Sequence, residues 1–526
     1  MGIQYLSSCQ GTRASIHLPR DPQRLVLLRR PKSKIACPRS RIVGALPPGP
    51  VPWPVVGNLP EMVLNKSAFR WIHRMMEDMG TDITCVRLGS VHVIAITCPS
   101  IARDVLRKQD ANFASRPLTF ASGTFSGGYK DAVLSPFGDQ WKKMRRVLTS
   151  EIVCPSRHRW LHDHRADEAD NLSRYVHTLA TGSASGVDVR HVARHYCGDV
   201  IRRLVFGRRY FGEPRPDGGP GLMEEEHMDA VFTAVGLLFA FCVSDYLPWL
   251  RGLDLDGHEK MVKEANSTVN RLHDTVIDER WRQWKSGERR ELDDFLDVLI
   301  THKDGEGKPL LTIEEVKAHS VDIIFAAIDN PSNAVEWVLA EMANAPEVMA
   351  KAVEEMDRVV GRERLVQESD IPQLNYAKAC IREAFRLHPV APFNLPHVAH
   401  HDTTIAGYRV PKAATSSSVA PGSVGTRPTG TSHSSSSQSA TLICLKAAMW
   451  CSQRMNCGSS PSAPAVVVHQ DSRNRLLNHR IVCLQDFQET APPPRVNIYL
   501  VVAFISSTSE IQFASLYPSS TDGNPV

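Results

Sequence analysis

From Glu314 to Asn344 apolar residues return at helical spacing, through Val316, Val321, Ile324, Phe325, Ile328, Val335, Val338, Leu339 and Met342. That spacing predicts a long helix with a face for the core. The pattern breaks in its middle. Ala326 and Ala327 thin the helix, and Asp329-Asn330-Pro331-Ser332 then sets polar groups and a proline where packing alone favours leucine. Proline removes an N–H donor and crowds the preceding turn, so a kink and a free carbonyl near Ala327 are expected. A merely structural kink is one reading; a site is the other, because local rules broken inside an apolar helix gather at sites.

The same periodicity places further helices at Ser67–Met79, Ile101–Lys108, Phe137–Leu148, His258–Trp284, Pro346–Val360 and Asn375–Leu387, with Pro389 ending the last. Asp163 to Gly207 is helical in pattern with few chemical signals. Period-two alternation from Thr84 to Ile96 predicts two short strands around Gly89-Ser90. Ala230–Ser244 is strongly apolar but too short to span a bilayer, which predicts a buried helix or an interfacial patch. Leu46–Pro60 carries too many prolines for helix or central strand and predicts a stiff extended segment. The chain therefore reads as mainly α with small β-sheets.

Composition changes little in that picture. The 526 residues are 42% hydrophobic and 22% charged, ordinary for a globular chain, and a formal net charge of +4 without a basic, aromatic-interleaved stripe argues against nucleic acid. Twelve cysteines without CxxC or Cys/His spacing read as reduced thiols, with neither a disulfide framework nor zinc. Residues 1–45 are Arg-rich with Asp21 as the single acid and lack the roughly 20 apolar residues of a membrane anchor. They read as an organelle transit peptide or an unstructured leader.

Three motifs carry chemistry. AAIDNPSN, from Ala326 to Asn333, lies in the long helix. FGDQWKKMRRVL, from Phe137 to Leu148, puts Trp141 and Arg145 four apart on one helical face, with Lys142, Lys143 and Arg146 facing outward. NYAKACIREAFRL puts Glu383 and Arg386 three apart, and RLHPVAPFNLPHVA comes directly after. The bland readings are a surface aromatic–cation pair and an exposed ion pair, the latter worth a few tenths of a kcal/mol.

Together, in this order from about Leu46 to Lys412, the motifs resemble the cytochrome P-450 haem-thiolate monooxygenases, and AAIDNPSN resembles the plant amino-acid N-monooxygenases that form aldoximes, in which Asn-Pro replaces Thr-Thr. The resemblance implies the cytochrome P-450 fold for 46–412. It places Asp329 and Asn330 in a proton-delivery groove, with Ala326 and Ala327 leaving room for dioxygen. Trp141, Arg145 and His397 would hold haem propionates, and Glu383 with Arg386 would form a buried pair that locks the core. FASRP at Phe113–Pro117 would open a loop of the substrate pocket, and Ala230–Ser244 would lie near the lipid surface over its entrance. Implied partners are an NADPH-dependent reductase and an amino-acid substrate, with tyrosine and phenylalanine as candidates. The implied location is the endoplasmic reticulum surface, with peripheral membrane contact; a chain without an anchor would be cytoplasmic or organellar.

At Ala413 the resemblance ends within one residue. The remaining stretch, 413–526, opens as low-complexity sequence without the apolar periodicity of a core, and predicts a truncated domain with a disordered or non-native tail. The signature Phe-x-x-Gly-x-Arg-x-Cys-x-Gly, whose cysteine would be the axial iron ligand, has no in-frame match, and Cys444, Cys451, Cys457 and Cys483 lack its context. Two classes therefore compete: an amino-acid N-hydroxylating oxidoreductase, and a haem-free remnant without catalysis. A frameshift just after Lys412 accounts for the abrupt change.

Overall fold

The computed structural model describes residues 44–65, 68–182 and 187–418. Residues 1–43 of the basic leader and residues 419–526 of the tail lie outside the described residues. Two compact units are present. The described residues of the first are 44–65, 68–115, Tyr246–Trp249 and 395–418; those of the second are 116–182, 187–245 and 250–394.

The first unit is built on a four-stranded sheet ordered β1 (Ile83–Leu88), β2 (Val91–Ile96), β6 (Thr415–Ser418), β3 (His397–Val398). β1 and β2 form the expected hairpin, with Leu88 opposite Val91 and only Gly89-Ser90 between them. Gly89 has φ +56, and a Cβ there would stand 2.1 Å from the Tyr246 carbonyl, so the turn requires glycine twice over. β4 (Thr403–Ile405) and β5 (Tyr408–Val410) pair separately. Ile83, Ile94, Ile96, Val105, Phe113, Ile405 and Val410 make the core. The proline-rich stretch is pinned beside β1, where the Pro48 carbonyl accepts from the Cys85 N–H at 3.0 Å and the Thr84 hydroxyl at 2.7 Å.

One boundary moves. Regular structure does not stop at Lys412: Thr415–Ser418 inserts between β2, to which it is parallel, and β3, to which it is antiparallel. Composition gives no sign of this because a strand between two partners is held by its backbone hydrogen bonds, whatever its side chains.

Helices form the second unit: His162–Gly182, Val189–Phe206, Leu222–Leu237, His258–Ser286, Ile313–Asn344, Pro346–Val359 and Asn375–Leu387 are the longest. The Ile313–Asn344 helix packs against Val189–Phe206, Asn375–Leu387 and Pro346–Val359. Val316, Ile324, Ile328 and Val335 on it are fully buried in one continuous core. Ala230–Ser244 divides between the end of the Leu222–Leu237 helix and the turn Val243–Tyr246, with Ala230, Val231 and Ala234 in the core. No helix among the described residues is long and apolar enough to cross a membrane.

Candidate functional site

The central helix starts at a capping box. The Thr312 hydroxyl accepts from the Glu315 N–H, and the Glu315 carboxylate accepts from the Thr312 N–H at 2.9 Å, which satisfies two orphan donors of the first turn. Lys143 donates to both Glu315 oxygens at 2.8 Å and Gln140 to one at 3.0 Å. Lys143 therefore does not face outward as its spacing suggests; its charge locks the Asp139–Val147 helix onto the start of the central one.

Further along, the helix continues through Pro331 to Asn344. The carbonyl that gathers side-chain donors is that of Asp329, not Ala327. Ser332 Oγ donates to it at 2.9 Å and Asn333 Nδ2 at 2.8 Å, while the same Asn333 amide reaches Asp329 Oδ1 at 2.7 Å. Ala326, Ala327, Asp329 and Asn330 are half-buried, whereas Ile328 and Pro331 to Val335 are buried. Burial pushes the Asp329 carboxyl above the ordinary range, and the Asn333 hydrogen bond and the charge of Arg194 pull it back. Arg194 also stands over the Phe232 ring at 4.0 Å.

Two turns before Asp329 lies a second acid, one that no sequence motif marks. Asp322 is buried and accepts from the Ala132 N–H at 3.2 Å; Asp131 is 1% exposed and accepts from the N–H groups of Leu134 and Ser135 and the Ser135 hydroxyl. Burial, then the charge of Asp131, raises the Asp322 carboxyl well above its usual range. The positive charge of Arg145 opposes that rise. The Arg145 guanidinium also stands 5.7 Å from the Trp141 ring. Trp141 and Arg145 thus share a helical face as expected, half-buried, as an aromatic–cation pair. His319, one turn before Asp322, is wholly buried with neither ring nitrogen hydrogen-bonded. Its Nδ1 lies 3.9 Å from Asp322, beyond hydrogen-bond reach, and burial lowers its pKa to about 4, so it is neutral.

Glu383 and Arg386 close on each other in a two-pronged bridge at 2.6 and 2.9 Å. Their side chains are 35% and 20% exposed, so the pair is half-buried where a buried one was expected. Just beyond it, His388 stacks on Trp337 of the central helix at 3.8 Å and bonds Glu341 at 2.7 Å. That contact docks the end of the Glu383–Arg386 helix. His397 lies in the first unit, on β3, where its Nδ1–H donates to the Phe113 carbonyl at 2.7 Å.

The indole of Trp141, a donor only, and the permanently charged Arg145 fit the acidic edge of a haem. Burial raises four of the six described cysteines above their ordinary range. Burial pushes Cys85 up to about 11 and Cys380 up to about 12, and raises Cys197 and Cys242 as well; Cys98 and Cys154 exchange hydrogen bonds with Ser100 and Ser156.

A long helix that carries Asp329 and Pro331 within it, with these motifs in order, fits a haem-enzyme class, and the chain belongs to the cytochrome P450 family, whose model matches residues 47–429. The family is one of haem-dependent monooxygenases that take electrons from reductase partners. The chain is 82% identical over 372 residues to the tyrosine N-monooxygenase of Sorghum bicolor, a match covering 70% of this chain and 67% of that one. It is 56% identical over 370 residues to the tryptophan N-monooxygenase 1 of Arabidopsis thaliana and 57% identical over 369 to the valine N-monooxygenase 1 of Manihot esculenta, each covering 70% of this chain and 68% of the relative. It therefore stands near the plant amino-acid N-monooxygenases.

Proposed function

We propose that this chain carries the scaffold of an amino-acid N-hydroxylase that forms aldoximes, with tyrosine as its substrate. The observation that carries this reading is the 82% identity to a tyrosine N-monooxygenase across 372 residues. Haem iron, when bound, would supply the oxygen chemistry. Asp329 would hold and pass a proton at its carboxyl, and Asn330 would line the groove that Ala326 and Ala327 leave open. Trp141 and Arg145 would hold a propionate. Glu383 and Arg386 would brace the helix that carries them. An NADPH-dependent reductase at the endoplasmic reticulum surface is the proposed electron source.

A second reading, a haem-free remnant, is favoured by one observation: the chain contains no Phe-x-x-Gly-x-Arg-x-Cys-x-Gly. On that reading 46–412 is the remnant of the domain and a single lost base after Lys412 put the rest out of frame. Reading each codon one base earlier can give GSHVLLSRTGLGRNP from Ala413 to Arg427, which sets HVLL at the positions of β6. The two readings separate on one preparation. Full-length protein supplied with haem, reduced and treated with carbon monoxide should show a thiolate Soret band and convert tyrosine to its oxime with a plant reductase; a preparation without the band establishes the remnant. Resequencing across the Lys412 codon tests the lost base, since an intact frame there ends that account.

A further inference from the structure

Asn333 closes the AAIDNPSN stretch, four residues after Asp329. In the structure it is 9% exposed and makes two bonds with one amide: 2.8 Å to the Asp329 carbonyl and 2.7 Å to Asp329 Oδ1. The first bond is the back-bond that polar residues commonly make to the carbonyl one turn earlier. The second is not. It fixes the carboxyl rotamer of a half-buried acid against its own helix, next to a proline that weakens that helix locally. Ser332, on the same carbonyl at 2.9 Å, serves the backbone but makes no bond with the carboxylate.

We propose that Asn333 is the positioning residue for Asp329, holding its carboxyl in one orientation toward the helix groove and favouring its ionised form. This rests on the reading of Asp329 as the proton-handling acid, but the arrangement it describes belongs to the folded chain whether or not haem is bound. The groups facing Asp329 are Asn333 and Ser332 on its own helix and Arg194 on the Val189–Phe206 helix. Arg194 supplies charge and Asn333 supplies direction. Removing the amide would leave the carboxylate with its burial and the distant charge, and the acid should then hold its proton more tightly.

The test is an infrared titration of the haem-free full chain, tracking the protonated carboxyl band that disappears in Asp329→Asn. In Asn333→Leu the titration midpoint should rise by about one pKa unit, a tenfold gain in proton affinity, as expected for losing a hydrogen bond to a charged group. Asn333→Ser is the discriminating variant and the safeguard against misfolding. A serine hydroxyl at this position can still serve the Asp329 carbonyl but is too short to hold the carboxylate. A midpoint raised in both variants supports the proposal. A native midpoint in Asn333→Ser, with or without a lower melting temperature, would show that Asn333 only caps the backbone and would overturn it. Failure of the full chain to make an oxime would count against the proposed function alone, because the titration needs neither haem nor turnover.

Discussion

At the scale of single residues, burial lowers the pKa of His195, His227, His273 and His319 in the second unit. His319 is the cleanest, wholly buried and without a hydrogen bond. Its pKa is about 4 folded against 6.5 for a free histidine, so the unfolded chain binds the extra proton. Its stabilising contribution is therefore complete above pH 6.5 and is lost as pH falls from 6.5 through 4. The loss across that window is about 3 kcal/mol, at 1.36 kcal/mol per unit. Phenylalanine at this position has no proton to take up. His319→Phe should match the parent near pH 7.5 and lose less stability on acidification, as read by urea denaturation at about pH 7.5 and about pH 4.5; parallel losses would show that His319 does not titrate as its burial dictates. His195 and His273, both lowered to about 3 by burial, act in the same direction. Asp131, raised to about 6 by burial, acts oppositely: its stabilising contribution is present below its ordinary range and fades as pH rises through 6.

At the scale of elements, β6 is the anomaly. It sits between two partners in the sheet, yet its residues are Thr-Ser-Ser-Ser, and Ser416, 2% exposed, lies directly opposite Ile94. A strand sandwiched in this way profits from β-branched apolar side chains. Ser416→Val should therefore raise stability by about 1 kcal/mol, the gain from burying one or two methyl groups. A thermal melt reads it; a lower melting temperature would mean that the Ser416 hydroxyl serves a backbone group the valine strands. The central helix is the opposite case. Its side chains demand burial, and its start is set by local chemistry at Thr312 and Glu315.

At the scale of the whole second unit, a network around Arg280 joins the end of one helix to the start of another. Arg280 donates to Asp294 and Asp297 at 2.7 Å and to the Phe206 carbonyl at 3.2 Å; Arg289 and Trp284 serve Asp297 as well. Burial raises Asp294 to about 6, while Arg289, Trp284 and Arg280 overcome burial and bring Asp297 below its usual range. Arg280→Leu should cost about 3–5 kcal/mol, because it leaves Asp294 buried without a counter-charge. Adding Asp294→Asn should restore much of that loss, since asparagine can still cap the helix that begins at Phe295. Urea denaturation of the single and double variants measures both, and equal losses in the two would place the cost in packing.

The long helix, the Gly89-Ser90 hairpin, the Glu383–Arg386 and Trp141–Arg145 spacings and the family are all legible in the amino-acid order, because each is written in periodicity or in residues a few positions apart. So is the place of Asp329 at the interruption. Three other features exist only once the chain has folded. Asp131 and Asp322 meet from distant parts of the chain, and their shared burial raises both carboxyls. Lys143 turns inward because Glu315, far along the sequence, offers an acceptor at a helix start. Thr415–Ser418 becomes a strand because β2 and β3 present unpaired backbone groups on both sides, a demand that its own side chains do not record.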